Sequence, residues 1–220
     1  MSVPPLSLLE TRVLGVLVEK QHTVPDTYPL TLNALVAGCN QKTSRDPILN
    51  ATDADVLAAI DRLRALSLIV ESSGGRVMRY SHNVDRVLAI PGQAVALVAA
   101  LMLRGPQTVG ELRSNCDRLH RFADSSAVEG FLNELAVRQT GPLVVELTRQ
   151  PGARETRWAH LLCGPPAAET AALPIATPDD TIAVAELAAL KAEIVQLQEE
   201  LAVVKATVQK LCAGLGVTPP

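Results

Sequence analysis

The sequence predicts a mainly α fold with small β-hairpins, an α+β fold, and three observations carry that reading. Marked helix starts recur along the first two thirds of the chain. Two short apolar runs each follow a group of helices and repeat one pattern. Leu68-Ile69-Val70-Glu71 is followed, after a Gly-containing turn, by Arg76-Val77-Met78-Arg79-Tyr80-Ser81-His82, and Leu143-Val144-Val145-Glu146 leads in the same way to Arg154-Glu155-Thr156-Arg157-Trp158-Ala159-His160. The shared form, L-[IV]-V-E, turn, R-x-x-R-aromatic-x-H, reads as the same β-hairpin used twice. Lastly, the C-terminal segment switches to a strict heptad spacing of apolar residues.

Taken in order, Ser7 with Glu10, Thr52 with Asp55, Thr108 with Glu111 and Ser126 with Glu129 fit the capping pattern S/T-x-x-E/D. In such a pair the hydroxyl accepts from an orphan backbone N–H, while the acid reaches back to the cap and favours the positive helix end. Apolar residues at helical spacing follow: Leu9, Val13, Leu14 and Leu17 in the first case, Val56, Leu57, Ile60 and Leu63 in the second. Pro29 before Leu30, Leu32, Leu35 and Val36 predicts a further helix with proline in its first turn, and Gln93 to Leu103 predicts another. The order is three helices and a hairpin, twice.

Three helices closed by a hairpin is the winged-helix arrangement. The expectation is two tandem winged-helix domains, residues 1–84 and 85–163, with the repeat itself over roughly 6–84 and 88–163. A Pro/Ala-rich linker at 164–181 and a coiled-coil helix at 182–213 follow. The first unit carries an extra polar stretch, Cys39 to Asn50, where a helix-turn-helix would have its short turn.

Several segments resemble the bacterial YceH family: Leu17-Val18-Glu19-Lys20-Gln21, Tyr28-Pro29-Leu30, Cys39-Asn40-Gln41-Lys42-Thr43, and Leu103-Arg104-Gly105-Pro106-Gln107-Thr108 with Gly110-Glu111-Leu112-Arg113. The resemblance covers about residues 6–163 and recurs in the C-terminal helix. It implies tandem winged helices, a family without a settled function, and no catalytic residues to carry over.

Composition bounds the function. Hydrophobic residues make up 48% of the 220, enough for a packed core. Tyr28, Tyr80, Phe122, Phe131 and Trp158 are the only aromatic residues, which argues against a base-stacking platform for single-stranded RNA. The longest apolar run, Ala94 to Leu103, is half of the ~20 residues a membrane span needs. The N-terminus shows no basic segment followed by an apolar one, so a cytoplasmic protein without a membrane partner is expected. Cys39, Cys116, Cys163 and Cys212 lie far apart with no histidines at ligand spacing, so neither a disulfide framework nor a metal site is expected. No phosphate-binding glycine loop, nucleophile motif or paired base stands out; no catalytic residue or cofactor is expected, and enzyme function is the least supported class.

Leu187, Leu190, Ile194, Leu197, Leu201, Val204, Val208 and Leu211 are spaced 3 and 4 alternately, the seam of a coiled coil. Glu186, Glu193 and Glu200 at g would face Lys191, Gln198 and Lys205 at e in a parallel homodimer. Each exposed pair contributes only about 0.5 kcal/mol, enough to select orientation; burial of the seam supplies the drive. The alternative is an amphipathic helix folded back on its own body.

The frequency of DNA binding among winged helices points to a dimeric DNA-associated regulator; the alternative is a protein-interaction scaffold whose winged helices bind no DNA sequence-specifically. Residues 1–84 hold eight basic and eight acidic side chains, and residues 85–163 nine and eight, with no net basic face. The third helices carry Asp53, Asp55 and Asp61, and Glu129 and Glu134. Candidate contacts to nucleic acid or a partner are Asn40, Gln41, Lys42 and Arg45 in the inserted loop and Arg76, Arg79, Arg154 and Arg157 on the hairpins. Arg113, Arg118 and Arg121 add basic character after the second unit's second helix begins. The structural alternatives are that the loop bonds the ends of its flanking helices and that the hairpin arginines pair with Glu71, Glu146 or Glu155 across their own strands. Tyr80, Trp158, His82 and His160 are expected to pack at the base of each hairpin, and Tyr28-Pro29 to fix the entry to the second helix.

Overall fold

Backbone hydrogen bonding at five of the seven described α-helix starts is settled by residues three positions apart, and three of these starts stand where the pattern puts them. The structure is a computed structural model and describes residues 3–73 and 77–165. The linker beyond Pro165, the expected coiled-coil helix with its seam, and Arg76 lie outside the described residues.

Helix α1 (Leu8–Thr23) opens on a reciprocal Ser7–Glu10 capping box. The Thr52–Asp55 box opens α3 (Asp53–Ala65), and the Thr108–Glu111 box opens α6 (Val109–Cys116). Helix α2 spans Leu32–Cys39, α4 Val84–Leu88, α5 Gly92–Arg104 and α7 Ser125–Ala136. Strands β2 (Ile69–Ser72) and β3 (Arg79–His82) form the first hairpin, and β4 (Val144–Glu146) and β5 (Trp158–His160) the second. The described chain is thus a mixture of helices and small antiparallel sheets, the α+β class.

Three local expectations are corrected. Pro29 does not enter a helix: Leu30–Thr31 form a short strand, β1, paired with β3 through Leu30 opposite Tyr80, and α2 starts only after it with Thr31 as cap. Ser126 is not the cap of α7. Asp124 is, because its carboxylate accepts from the Ala127 amide and from the Ser126 hydroxyl, which draws the helix start two residues earlier. The short helix α4, joining the two halves, carried no cap signal; Asn83 makes no side-chain cap bond there.

The first sheet has the order β1-β3-β2, and the second is β4-β5 with an isolated bridge between Gln107 and Trp158. That bridge is the counterpart of Leu30 opposite Tyr80. In both halves the residue before a threonine helix cap pairs with the aromatic residue of the second hairpin strand.

Between the halves run α1 and α5, packed against each other. Every residue of α5 from Ala94 to Leu103 is buried, as are Glu10 to Val18 of α1. A helix apolar all round belongs in the interior, which explains the long apolar run. Close approach is written into two glycines. A Cβ on Gly15 would lie 2.9 Å from the Leu103 side chain, and one on Gly38 would lie 2.5 Å from Val16 Cγ1. The apolar core is continuous from Leu6 to Leu162.

Candidate interaction surface

The inserted loop is built from the inside by two arginines. Arg12 of α1 is fully buried and donates to the carbonyl oxygens of Cys39 (3.2 Å) and Pro47 (2.7 Å). Its Nε has no partner among the described residues, and burial with the nearby Arg45 charge lowers its pKa. The Arg45 side chain is 0% exposed and forms a forked ion pair with Glu19, at 3.2 and 2.6 Å. It also donates to the Gly38 and Ser44 carbonyls and to Gln41 Oε1. Burial alone would raise the Glu19 pKa, but the hydrogen bonds and charge of Arg45, helped by Lys20, outweigh it and the net shift is downward. Such forked geometry is what guanidinium supplies and ammonium does not.

Asn40 closes the same loop. Its amide donates to the Ala51 carbonyl and accepts from the Ala51 N–H, both at 2.8 Å. Gln41 bonds Thr43 and Arg45. The loop also reaches the other half: the Asp46 N–H donates to Leu103 O, and Arg104 donates to Ser44 Oγ, each at 2.8 Å. Of the four loop residues singled out, only Lys42 is exposed and without a side-chain bond or ion pair among the described residues.

The hairpin arginines divide by position. Arg79 donates to Pro29 O at 2.8 Å and Thr27 O at 3.3 Å, and Arg157 donates to Pro106 O at 2.8 Å and to Glu111 at 3.2 Å. Neither pairs across its own hairpin. Glu71 takes Arg64 of α3 instead, and Glu146 accepts from Thr156. Arg154, by contrast, is exposed with no bond or ion pair among the described residues, as are Arg118 and Arg149. Arg113 donates to Ala123 O, tying α6 to the approach of α7, and Arg121 lies 3.8 Å from Asp117.

Tyr80 and Trp158 are buried in the core. His82 bonds Gln21 at 2.6 Å through Nε2, and its backbone N–H donates to the Tyr28 hydroxyl. Burial raises the Tyr28 pKa to about 12. His160 is its counterpart in the second half, but its buried Nδ1 has no partner among the described residues, and burial pushes its pKa down to about 4. Cys39 and Cys116 occupy equivalent ends of α2 and α6; burial raises both thiols to about 12, well away from reactive thiolate. Among the described residues no group of three or more His, Cys, Asp or Glu is placed to hold a metal ion, and no helix is long and apolar enough to cross a membrane.

Sequence reasoning missed Arg12, Glu19 and Gln107. Gln107 is buried yet donates to Ala100 O and Gly105 O and accepts from Asn115, while its backbone bonds Trp158 in both directions. The signal was there in alignment: Gln107-Thr108 stands to Trp158 as Leu30-Thr31 stands to Tyr80.

The solvent faces of α3 and α7 complete the surface. Opposite its buried Val56, Ala59, Ile60 and Leu63, α3 presents Ala54, Ala58, Asp61 and Ala65, with Leu57 41% exposed at the side. Its two arginines are more than half exposed and ion-paired: Arg62 with Glu10 at 3.2 Å, Arg64 with Asp61 on the same helix and with Glu71. Opposite Val128, Leu132 and Leu135, α7 presents Ser126, Glu129, Gly130 and Asn133.

Residues 6–153 match the family model described as "Protein of unknown function, DUF480". A UPF0502 protein of Methylibium petroleiphilum is 60% identical over 196 residues, covering 89% of this chain and 84% of the relative. Another from Leptothrix cholodnii is 57% identical over 216 residues, covering 96% of both, and one from Paraburkholderia xenovorans is 55% identical, covering 98% of this chain and 91% of the relative. With the resemblance read from its motifs and this agreement along nearly its whole length, the chain belongs to the DUF480 family of bacterial UPF0502 proteins, a family of unknown function.

Proposed function

We propose that this is a non-enzymatic protein-interaction scaffold: two tandem winged-helix units, residues 1–84 and 85–163, that bind another protein and read no DNA bases. The repeated order of three helices and a hairpin supports the winged-helix assignment, as does the strand residue placed before the second helix in each half. One observation carries the functional reading. The helix that would enter the major groove in each unit presents no unpaired cation: α3 exposes alanines, Asp53, Asp55 and Asp61 with Arg62 and Arg64 each held in an ion pair, and α7 exposes Ser126, Glu129, Gly130 and Asn133. Duplex binding draws most of its affinity from phosphate neutralisation, and base reading from donors such as arginine at the helix start. Acid there repels the backbone.

A second reading, a DNA-associated regulator, is favoured by the exposed Arg118, Arg149 and Arg154, which have no partner among the described residues. Titration of the intact protein with a mixed-sequence duplex at ~50 mM salt separates the two, because phosphate contacts are strongest there. No binding up to ~100 μM protein is expected. A Kd near ~1 μM that weakens steeply with salt, and that Arg149→Ala with Arg154→Ala removes, would establish the regulator instead. For the scaffold, a photo-cross-linking residue at Ala58 in living cells is expected to give one discrete protein adduct, and the same residue at exposed Asp26, which lies on neither third helix, is expected to give none. The chain is further proposed to be a parallel homodimer through the seam from Leu187 to Leu211.

A further inference from the structure

No further inference is drawn: the strongest candidate, the apolar surface patch of the first hairpin made by the exposed Val70, Val77 and Met78, carries nothing because nothing in the structure shows what covers it.

Discussion

Arg157 on the second hairpin donates from Nη1 to the carbonyl oxygen of Pro106 at 2.8 Å, and Arg79 makes the same 2.8 Å bond to Pro29 in the first half. In each case the bond clamps the hairpin to the segment that enters the second helix. The arginines of the repeated R-x-x-R-aromatic-x-H pattern therefore differ in role: the second arginine is a clamp, and Arg154, the first one in the second copy, faces solvent.

Removing the clamp should cost stability. Arg157→Ala is expected to lower unfolding free energy by about 1–2 kcal/mol, the worth of a charge-assisted bond to a carbonyl left without its donor. Arg154→Ala should lie within about 0.5 kcal/mol of the parent, as surface substitutions do. Urea denaturation of both variants checks this; equal effects would remove the distinction.

The pair Arg45–Glu19 predicts a larger loss. Breaking a buried ion pair by taking one partner leaves an uncompensated charge, so Arg45→Ala or Glu19→Ala should cost about 3 kcal/mol, while Lys42→Ala on the same loop should change little. A double-mutant cycle would show strong coupling between positions 45 and 19. Additive losses would mean that the fork contributes nothing.

Gly38→Ala tests the approach of α2 to α1. Alanine normally favours a helix over glycine by about 1 kcal/mol, yet here its Cβ would sit 2.5 Å from Val16 Cγ1. A net destabilisation of about 1–3 kcal/mol is expected from overpacking, partly relieved when Val16→Ala is added. A stabilised single variant would contradict the packing.

Acid should weaken the fold through His160. Its folded pKa of about 4 lies below the ordinary value of 6.5, so the unfolded chain binds the extra proton between those limits. Stability is full above pH 6.5 and falls as pH drops toward 4, by on the order of 3 kcal/mol at most. His82, whose pKa burial also lowers, acts in the same direction. Between pH 7 and 4.5 the denaturation midpoint of the parent should fall further than that of His160→Phe, which has no group to protonate there. A parent as stable at pH 4.5 as at pH 7 would refute the assignment.

Deleting residues 182–220 should reduce the number of chains per particle from two to one, measured by light scattering. An unchanged number would return the tail to the role of a helix folded against its own body.

Helix starts at Ser7, Thr52 and Thr108 were legible because a capping box closes within four residues. The hairpins were legible because Leu68 to Glu71 and Leu143 to Glu146 are short apolar, β-branched runs that repeat before similar turns. The acidity of the third helices could likewise be read directly. Pro29 was harder: whether Leu30 joins a helix or a strand depends on Tyr80, fifty positions away, and no local preference records that partner.

By itself, then, the sequence determined the α+β class, three of the helix caps, the duplicated hairpin and the family. Tertiary structure alone decided what the arginines do. A guanidinium reads the same along the chain whether water or a carbonyl awaits it. The partners of Arg12, Arg45, Arg62, Arg79 and Arg157 lie mostly on other elements, brought near by the packing of α1, α2, α3, α5 and the hairpins. Burial and charge pairing are properties of that assembly, so Arg45, Arg79 and Arg157 turned from surface into framework only once the chain had folded, while Lys42 and Arg154 stayed exposed.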